Sequence, residues 1–163
     1  MLTGDEPVSA ANLKAVLKAT GSKAISLTCG ESVNAYEGIN EFANLKEDVN
    51  AGGFVVSEGS LYVPKAGLYE ISGEFSGSGY YESSTYKPSD YLFRVMVDDR
   101  VIHSAKYESS WGTRRVNYKL NDTFAGVSEV ISPNSKIRVC VYCSYPAPSI
   151  RLSLTGRMTV VSK

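Results

Sequence analysis

From Lys23 onward, apolar residues tend to recur at every second position, in short runs separated by Gly, Pro, Asn, Asp and Ser. Successive side chains of a strand point to opposite faces, so each run can bury one face, and a chain built from such runs must close one sheet face against another. The runs are Ala24 to Cys29, Gly53 to Ser57, Leu61 to Val63, Leu68 to Phe75, Tyr91 to Val97, Val101 to Lys106, Arg114 to Leu120, Ile137 to Cys143 and Ile150 to Val161. About nine short strands with turn residues between them imply an all-β domain: a β-sandwich, jelly roll or barrel. On this alternation Tyr69, Ile71, Val139, Val141, Leu152 and Leu154 should be core residues.

Before the strands stands one helical pattern. In "PVSAANLKAVLKATG" Ser9 is a good N-cap, Leu13, Val16 and Leu17 share one face, and Gly21 stands where a C-cap glycine belongs. A helix of about three turns is marginal alone in water, so its stripe is expected to pack on the domain or on copies of itself from neighbouring subunits.

Composition narrows the function classes. The 163 residues, 43% hydrophobic and 21% charged, suit one domain of ordinary size. Seventeen Lys and Arg balance seventeen Asp and Glu, and the charges are scattered, which gives nucleic acid no phosphate-neutralising face. No apolar run approaches the roughly 20 residues of a membrane span, so no membrane insertion is expected. The N-terminus lacks a basic region followed by an apolar stretch, so no signal peptide is expected. Cys29, Cys140 and Cys143 are too few and odd in number for a secreted disulfide framework, which suggests synthesis in a reducing compartment.

The stretch "GSLYVPKAGLYEISGEF" gives the fold more definition. Proline cannot donate to a sheet ladder, so Val63-Pro64 ends one strand, and Gly67 permits the tight backbone from which Leu68 starts the next. The longer stretch "GGFVVSEGSLYVPKAGLYEIS" resembles the tumour-necrosis-factor and complement globular-head jelly roll, with Gly59, Tyr62, Pro64, Gly67 and Tyr69 on the pattern. "LFRVMVDDRVIHSA" is similar to that family's hairpin, and "LSLTGRMTVV" to its closing strand. The resemblance spans Ser26 to Val161 and implies a jelly-roll β-sandwich that assembles as a homotrimer, one sheet of each copy facing the threefold axis. Leu68, Glu70, Arg138, Tyr142 and Arg151, on the outward side of the alternation, mix apolar and aromatic anchors with opposite charges and are the expected trimer interface. The chain then divides into residues 1–23, an N-terminal attachment segment with the short helix, and residues 24–163, the jelly-roll head.

Catalytic chemistry finds no foothold. Cys140 and Cys143 are three apart on a strand, so their thiols should diverge to opposite faces. His103 is the only histidine and has no nucleophile motif around it. Asp98 and Asp99 could ligate calcium, but an Asp-rich two-residue turn is favoured there for backbone reasons. No catalytic residue, metal or cofactor is expected.

Binding chemistry gathers in two stretches. "SGSGYYESSTYKPSDY" sets Tyr80, Tyr81, Tyr86 and Tyr91 among Ser, Gly and Thr, a mixture that supplies rigid aromatic contact with adaptable hydrogen bonding. "YESSWGTRR" carries the single tryptophan, Trp111, beside Arg114. These six are the expected receptor contacts. The segment "LTGDEPVSAANLKAVLKATG" resembles the attachment segments of bacteriophage fibre and head-fibre proteins. That resemblance implies a virion protein, made in the host cytoplasm, held to a capsid or tail protein by its N-terminal segment and binding a host surface glycan or protein. A soluble or surface-coat trimeric binding module of a bacterial cell is the alternative.

Overall fold

In the computed structural model the described residues are 23–82, 90–112, 114–143 and 150–163. The helix expected before Lys23 lies outside them, as does Tyr86.

Twelve strands follow in order: β1 Ala24–Ala35, β2 Gly38–Glu41, β3 Leu45–Ala51, β4 Val55–Ser57, β5 Ser60–Tyr62, β6 Gly67–Glu82, β7 Tyr91–Val97, β8 Arg100–Lys106, β9 Glu108–Gly112, β10 Arg115–Val130, β11 Ile137–Cys143 and β12 Ile150–Ser162. One sheet, A, runs β3-β1-β12-β6-β10-β9, and the other, B, runs β4-β5-β11-β7-β8 with β2 beside β11. Every pairing is antiparallel. If β1, β5, β6, β7, β8, β10, β11 and β12 are taken as eight core strands, one sheet joins the first, eighth, third and sixth, and the other the second, seventh, fourth and fifth. That order is two Greek keys wound together, the jelly roll.

The inner faces meet in one core. Tyr69, Ile71 and Phe75 of β6 and Leu152 and Leu154 of β12 pack against Phe93 and Val95 of β7 and Val139 and Val141 of β11. Phe75 and Phe93 touch across the sandwich at 4.9 Å between ring centroids. All six core residues expected from the alternation are at most 1% exposed.

Three strands escaped the periodicity. β2, β3 and β9 lie at sheet edges and bury few side chains, β9 none, so they carry no apolar alternation. A second difference concerns residues 76–82, expected as loop. There β6 continues, with Ser76 and Ser78 on the outer face and Gly77 and Gly79 on the inner one. A Cβ on Gly77 would stand 2.1 Å from the Ser153 carbonyl oxygen and 2.9 Å from the Tyr107 hydroxyl. Tyr107, fully buried, donates there to Ser153 at 3.1 Å. The glycines are thus set by close approach of β12 and Tyr107 rather than by loop flexibility.

The Val-Pro corner is as expected, and Tyr69 closes it. Its ring is buried edge-on to Phe54, and its hydroxyl donates to the Lys65 carbonyl at 2.6 Å. At the β7–β8 turn Asp98 takes a left-handed backbone (φ 54°). Its carboxylate accepts from the Lys136 amide at 3.0 Å, so the aspartate anchors the neighbouring loop.

Candidate interaction surfaces

The aromatic end of the sandwich is built by β6, β9 and β10. Register aligns Tyr80 with Asn117 and Ser110 on the outer side of sheet A, and Tyr81 with Val116 and Trp111 on the opposite side. Tyr80 is 55% exposed and Trp111 52%. The Arg115 guanidinium lies 4.2 Å above the Tyr80 ring and reaches Glu82 at 3.2 Å, which holds that ring as a flat platform. Arg114, exposed and left-handed (φ 64°), stands at the adjoining turn. Tyr80, Trp111 and Arg114 therefore share one end of the molecule, with Tyr80 and Trp111 on opposite sides of the sheet.

Two of the expected contacts are corrected. Tyr91 opens β7 and is fully buried, its ring edge-on to Tyr118 at 5.0 Å, and burial pushes its hydroxyl pKa up. It belongs to the core. Tyr81 is half-buried and stacks on Tyr118 at 6.3 Å, so it is largely a packing residue. The alternation ends one strand at Phe75 and opens the next at Tyr91, whereas Tyr81 sits on an inward position of the continuing β6 and Tyr91 on an inward position of β7.

The five expected interface residues do not share a face. Leu68 and Glu70 lie on β6 and Arg151 on β12, all in sheet A; Arg138 and Tyr142 lie on β11 in sheet B. Within sheet A, Glu70 pairs with Val161, at the far end of β12 from Arg151, and forms an ion pair with Lys163 at 2.8 Å. Parity along each strand had put these residues outward correctly, but it carries no information on which sheet a strand joins.

The outer face of sheet A instead carries many short polar side chains, with Glu74, Lys119 and Tyr80 among them. Shallow depressions of about 510 and 590 Å³ run along β6, β10 and β12, lined by Ser76, Ser78, Asn117, Asn121, Ser153 and Thr155 among others. Ser78 and Ser153 form a hydroxyl ladder across two strands.

The outer face of sheet B is charged over a sulfur floor. Arg138 pairs with Glu41 and, at 4.0 Å, with Asp99, and it donates to the Asp98 carbonyl. Beneath it Cys140 and Met96 are buried, sulfur to sulfur at 3.6 Å. Burial pushes the Cys140 thiol up to about 11 against the opposing pull of Arg138 and Arg94. Cys143 faces the other way, into the core, so the two thiols diverge as expected. Arg94 lies over the Tyr142 ring at 4.0 Å. Neither Arg94 nor Glu41 was picked out from the sequence; the signal for Arg94 was a lone cation inside the otherwise apolar "YLFRVMV".

His103 points between the sheets. Its Nε2 lies 2.6 Å from Asp122 Oδ2, and its ring stacks on Phe124 at 4.5 Å. Among the described residues no serine, threonine or cysteine hydrogen-bonds it. Nor do three or more His, Cys, Asp or Glu side chains among the described residues gather as a possible metal site.

The strand order defines a jelly roll of two antiparallel sheets. Among solved structures the chain is similar to the PRD1 vertex protein P5, with 16% identity and a TM-score of 0.52 over 86% of this chain and 96% of that one. Murine APRIL aligns at 13% identity and a TM-score of 0.49, over 87% of this chain and 99% of that one. Eiger TNF from S. frugiperda aligns at 12% and 0.46, over 87% and 92%. No protein-family model matches the chain, and no curated protein matches it.

Proposed function

We propose that this chain is a non-enzymatic structural protein of a virus particle, a trimeric jelly-roll head that decorates the particle and engages a host cell-surface glycan or protein. The observation that carries the proposal is the likeness to the PRD1 vertex protein P5, which covers 86% of this chain and 96% of the other. In this proposal residues 24–163 are the head, and residues 1–23 bind a capsid or tail protein.

The trimer is assigned to the outer face of sheet A. Its Ser, Thr and Asn side chains are short, so a neighbouring subunit can approach the backbone closely and match the hydroxyl ladder with its own polar groups. Sheet B and the Trp111 and Arg114 end then remain outward for a receptor, and Tyr80, on the outer side of sheet A, lies at the rim of the trimer face. Support for a non-catalytic role comes from the His103 environment and from the burial of all three cysteines.

Mass in solution tests the assembly: three times 17.7 kDa is expected, and a monomer at micromolar concentration refutes it. Purified particles test the location. A copy of the chain bound to virions is expected, whereas its presence only on bacterial cells supports the surface-coat alternative.

A further inference from the structure

Arg94 is a half-buried cation without a counter-ion. Among the described residues no carboxylate comes within ion-pair distance of Arg94, Arg114 or Arg151, and of these three only Arg94 is partly buried rather than exposed. Its Nε is buried with no hydrogen-bond partner. Glu41 stands on the same cross-strand row, Glu41–Cys140–Arg94–Ser104, but is already engaged by Arg138. A guanidinium nitrogen withdrawn from water and left unpaired is costly, and an anion at the exposed part of the fork offsets that cost. Stacking on Tyr142 at 4.0 Å holds its plane fixed, which lowers the entropy lost when a carboxylate binds in the fork.

The neighbouring row runs Ile39–Tyr142–Leu92 across β2, β11 and β7. Ile39 is 46% exposed, and Tyr142 and Leu92 are half-buried. An apolar bar thus lies beside a fixed cation, which suits a ring with one apolar C–H face and a carboxylate at its rim. Both β7 and β11 have strands on either side, so an acidic peptide cannot add to them through backbone hydrogen bonds.

We propose that the outer face of sheet B is a binding site for the carboxylated sugars of an acidic polysaccharide. In it Arg94 takes the carboxylate, Tyr142 orients Arg94, and Ile39 and Leu92 support the sugar ring. The site deepens the surface-binding half of the proposed function and is separate from the Tyr80 and Trp111 end.

The test is binding of the whole chain to polygalacturonate at low salt, with neutral dextran and polyglutamate as comparisons. Wild type should bind polygalacturonate and not dextran. Arg94→Gln should weaken binding by about tenfold or more, the scale of a lost charge-assisted hydrogen bond. Arg94→Lys should fall between them, because a lysine keeps the charge and loses the fork. Arg151→Gln removes an exposed cation from the other sheet and should bind as wild type does. The proposal is overturned by wild type that does not bind polygalacturonate, by Arg94→Gln that binds as well as wild type with its circular dichroism intact, or by an equal loss in Arg151→Gln. Equal affinity for polyglutamate overturns the sugar assignment as well. Binding is read on the chain itself, so failure of the particle test leaves this result standing.

Discussion

His103 Nε2 and Asp122 Oδ2, 2.6 Å apart, join β8 of one sheet to β10 of the other. His103 pairs with Val95 on the inner face of sheet B, and Asp122 with Phe75 on the inner face of sheet A, so the bond spans the sandwich near its open side. The histidine ring, stacked on Phe124, fills the space that an aliphatic residue would fill elsewhere in the core. His103→Ala and Asp122→Ala should each lower stability by about 1–3 kcal/mol, and the double variant should lose less than the sum by about 0.5 kcal/mol or more. Strict additivity in urea unfolding would show that the pair is not coupled.

Tyr69 makes the second test. Tyr69→Phe removes only the donation to the Lys65 carbonyl and should cost about 0.5–1.5 kcal/mol, while Tyr69→Ala also empties the space beside Phe54 and should cost about 3–5 kcal/mol. Equal losses for the two variants would mean that the ring contributes nothing beyond its hydroxyl.

Two glycines of neighbouring strands should respond in opposite directions. Gly77→Ala forces a Cβ to 2.1 Å from the Ser153 carbonyl, and backbone that must shift costs about 1–3 kcal/mol. An added Cβ on Gly126 of β10 meets nothing within 4 Å, so Gly126→Ala should be neutral or stabilise by up to about 1 kcal/mol through the unfolded chain. Thermal melts of both variants check the pair, and a Gly77→Ala melt at the wild-type temperature would refute the close approach of Tyr107 and β12.

What was legible in the sequence follows from what periodicity records. The inward residues of β6, β11 and β12 were readable because one buried face alternates with one exposed face, and the Val63-Pro64 corner was readable because proline and glycine have few other uses there. β9, with no buried side chain, left no such trace. The Ser-Gly-Ser-Gly run misled because its glycines, required by the approach of β12 from far along the chain and, at Gly77, of Tyr107, have the composition of a loop. For the interface, parity separates inside from outside on each strand, whereas the grouping of Glu70 with Arg138 depended on which strands are neighbours, a long-range property. Arg94 and Tyr142 come together for the same reason, across a strand pair whose partners lie far apart in sequence.

Alkali should destabilise the fold through the groups that burial keeps protonated. Burial pushes the Cys29 and Cys140 thiols from their ordinary 9.0 to about 11, and it pushes the Tyr91, Tyr107 and Tyr118 hydroxyls in the same direction. The folded chain holds these protons to higher pH than the unfolded chain does. Stability from this source is therefore fully present below the unfolded value near 9 and is lost as pH rises from there through about 11. The urea midpoint should be flat up to about pH 8.5 and fall steeply by about pH 10.5, and Cys140→Ala should reduce the fall. A midpoint unchanged across that range would contradict the burial of these groups.

The receptor end gives the last test, and the structure changes which residues it should use. Tyr81 is half-buried against Tyr118, so its loss would disturb the fold and confuse any attachment result. Tyr80 and Trp111 are each about half exposed and project from opposite sides of one sheet end, where three copies of a trimer could engage a repetitive polymer together. Linked weak sites raise apparent affinity by roughly 10² to 10⁴ without any new contact, so each needs only millimolar strength. Tyr80→Ala with Trp111→Ala should abolish attachment to host cells while leaving the melting temperature nearly unchanged, and Tyr81→Ala should instead lower the melting temperature. If the Tyr80 and Trp111 double variant still attaches with its fold intact, this end is not the receptor site. If it and Arg94→Gln both attach as wild type does, the protein only decorates the particle surface.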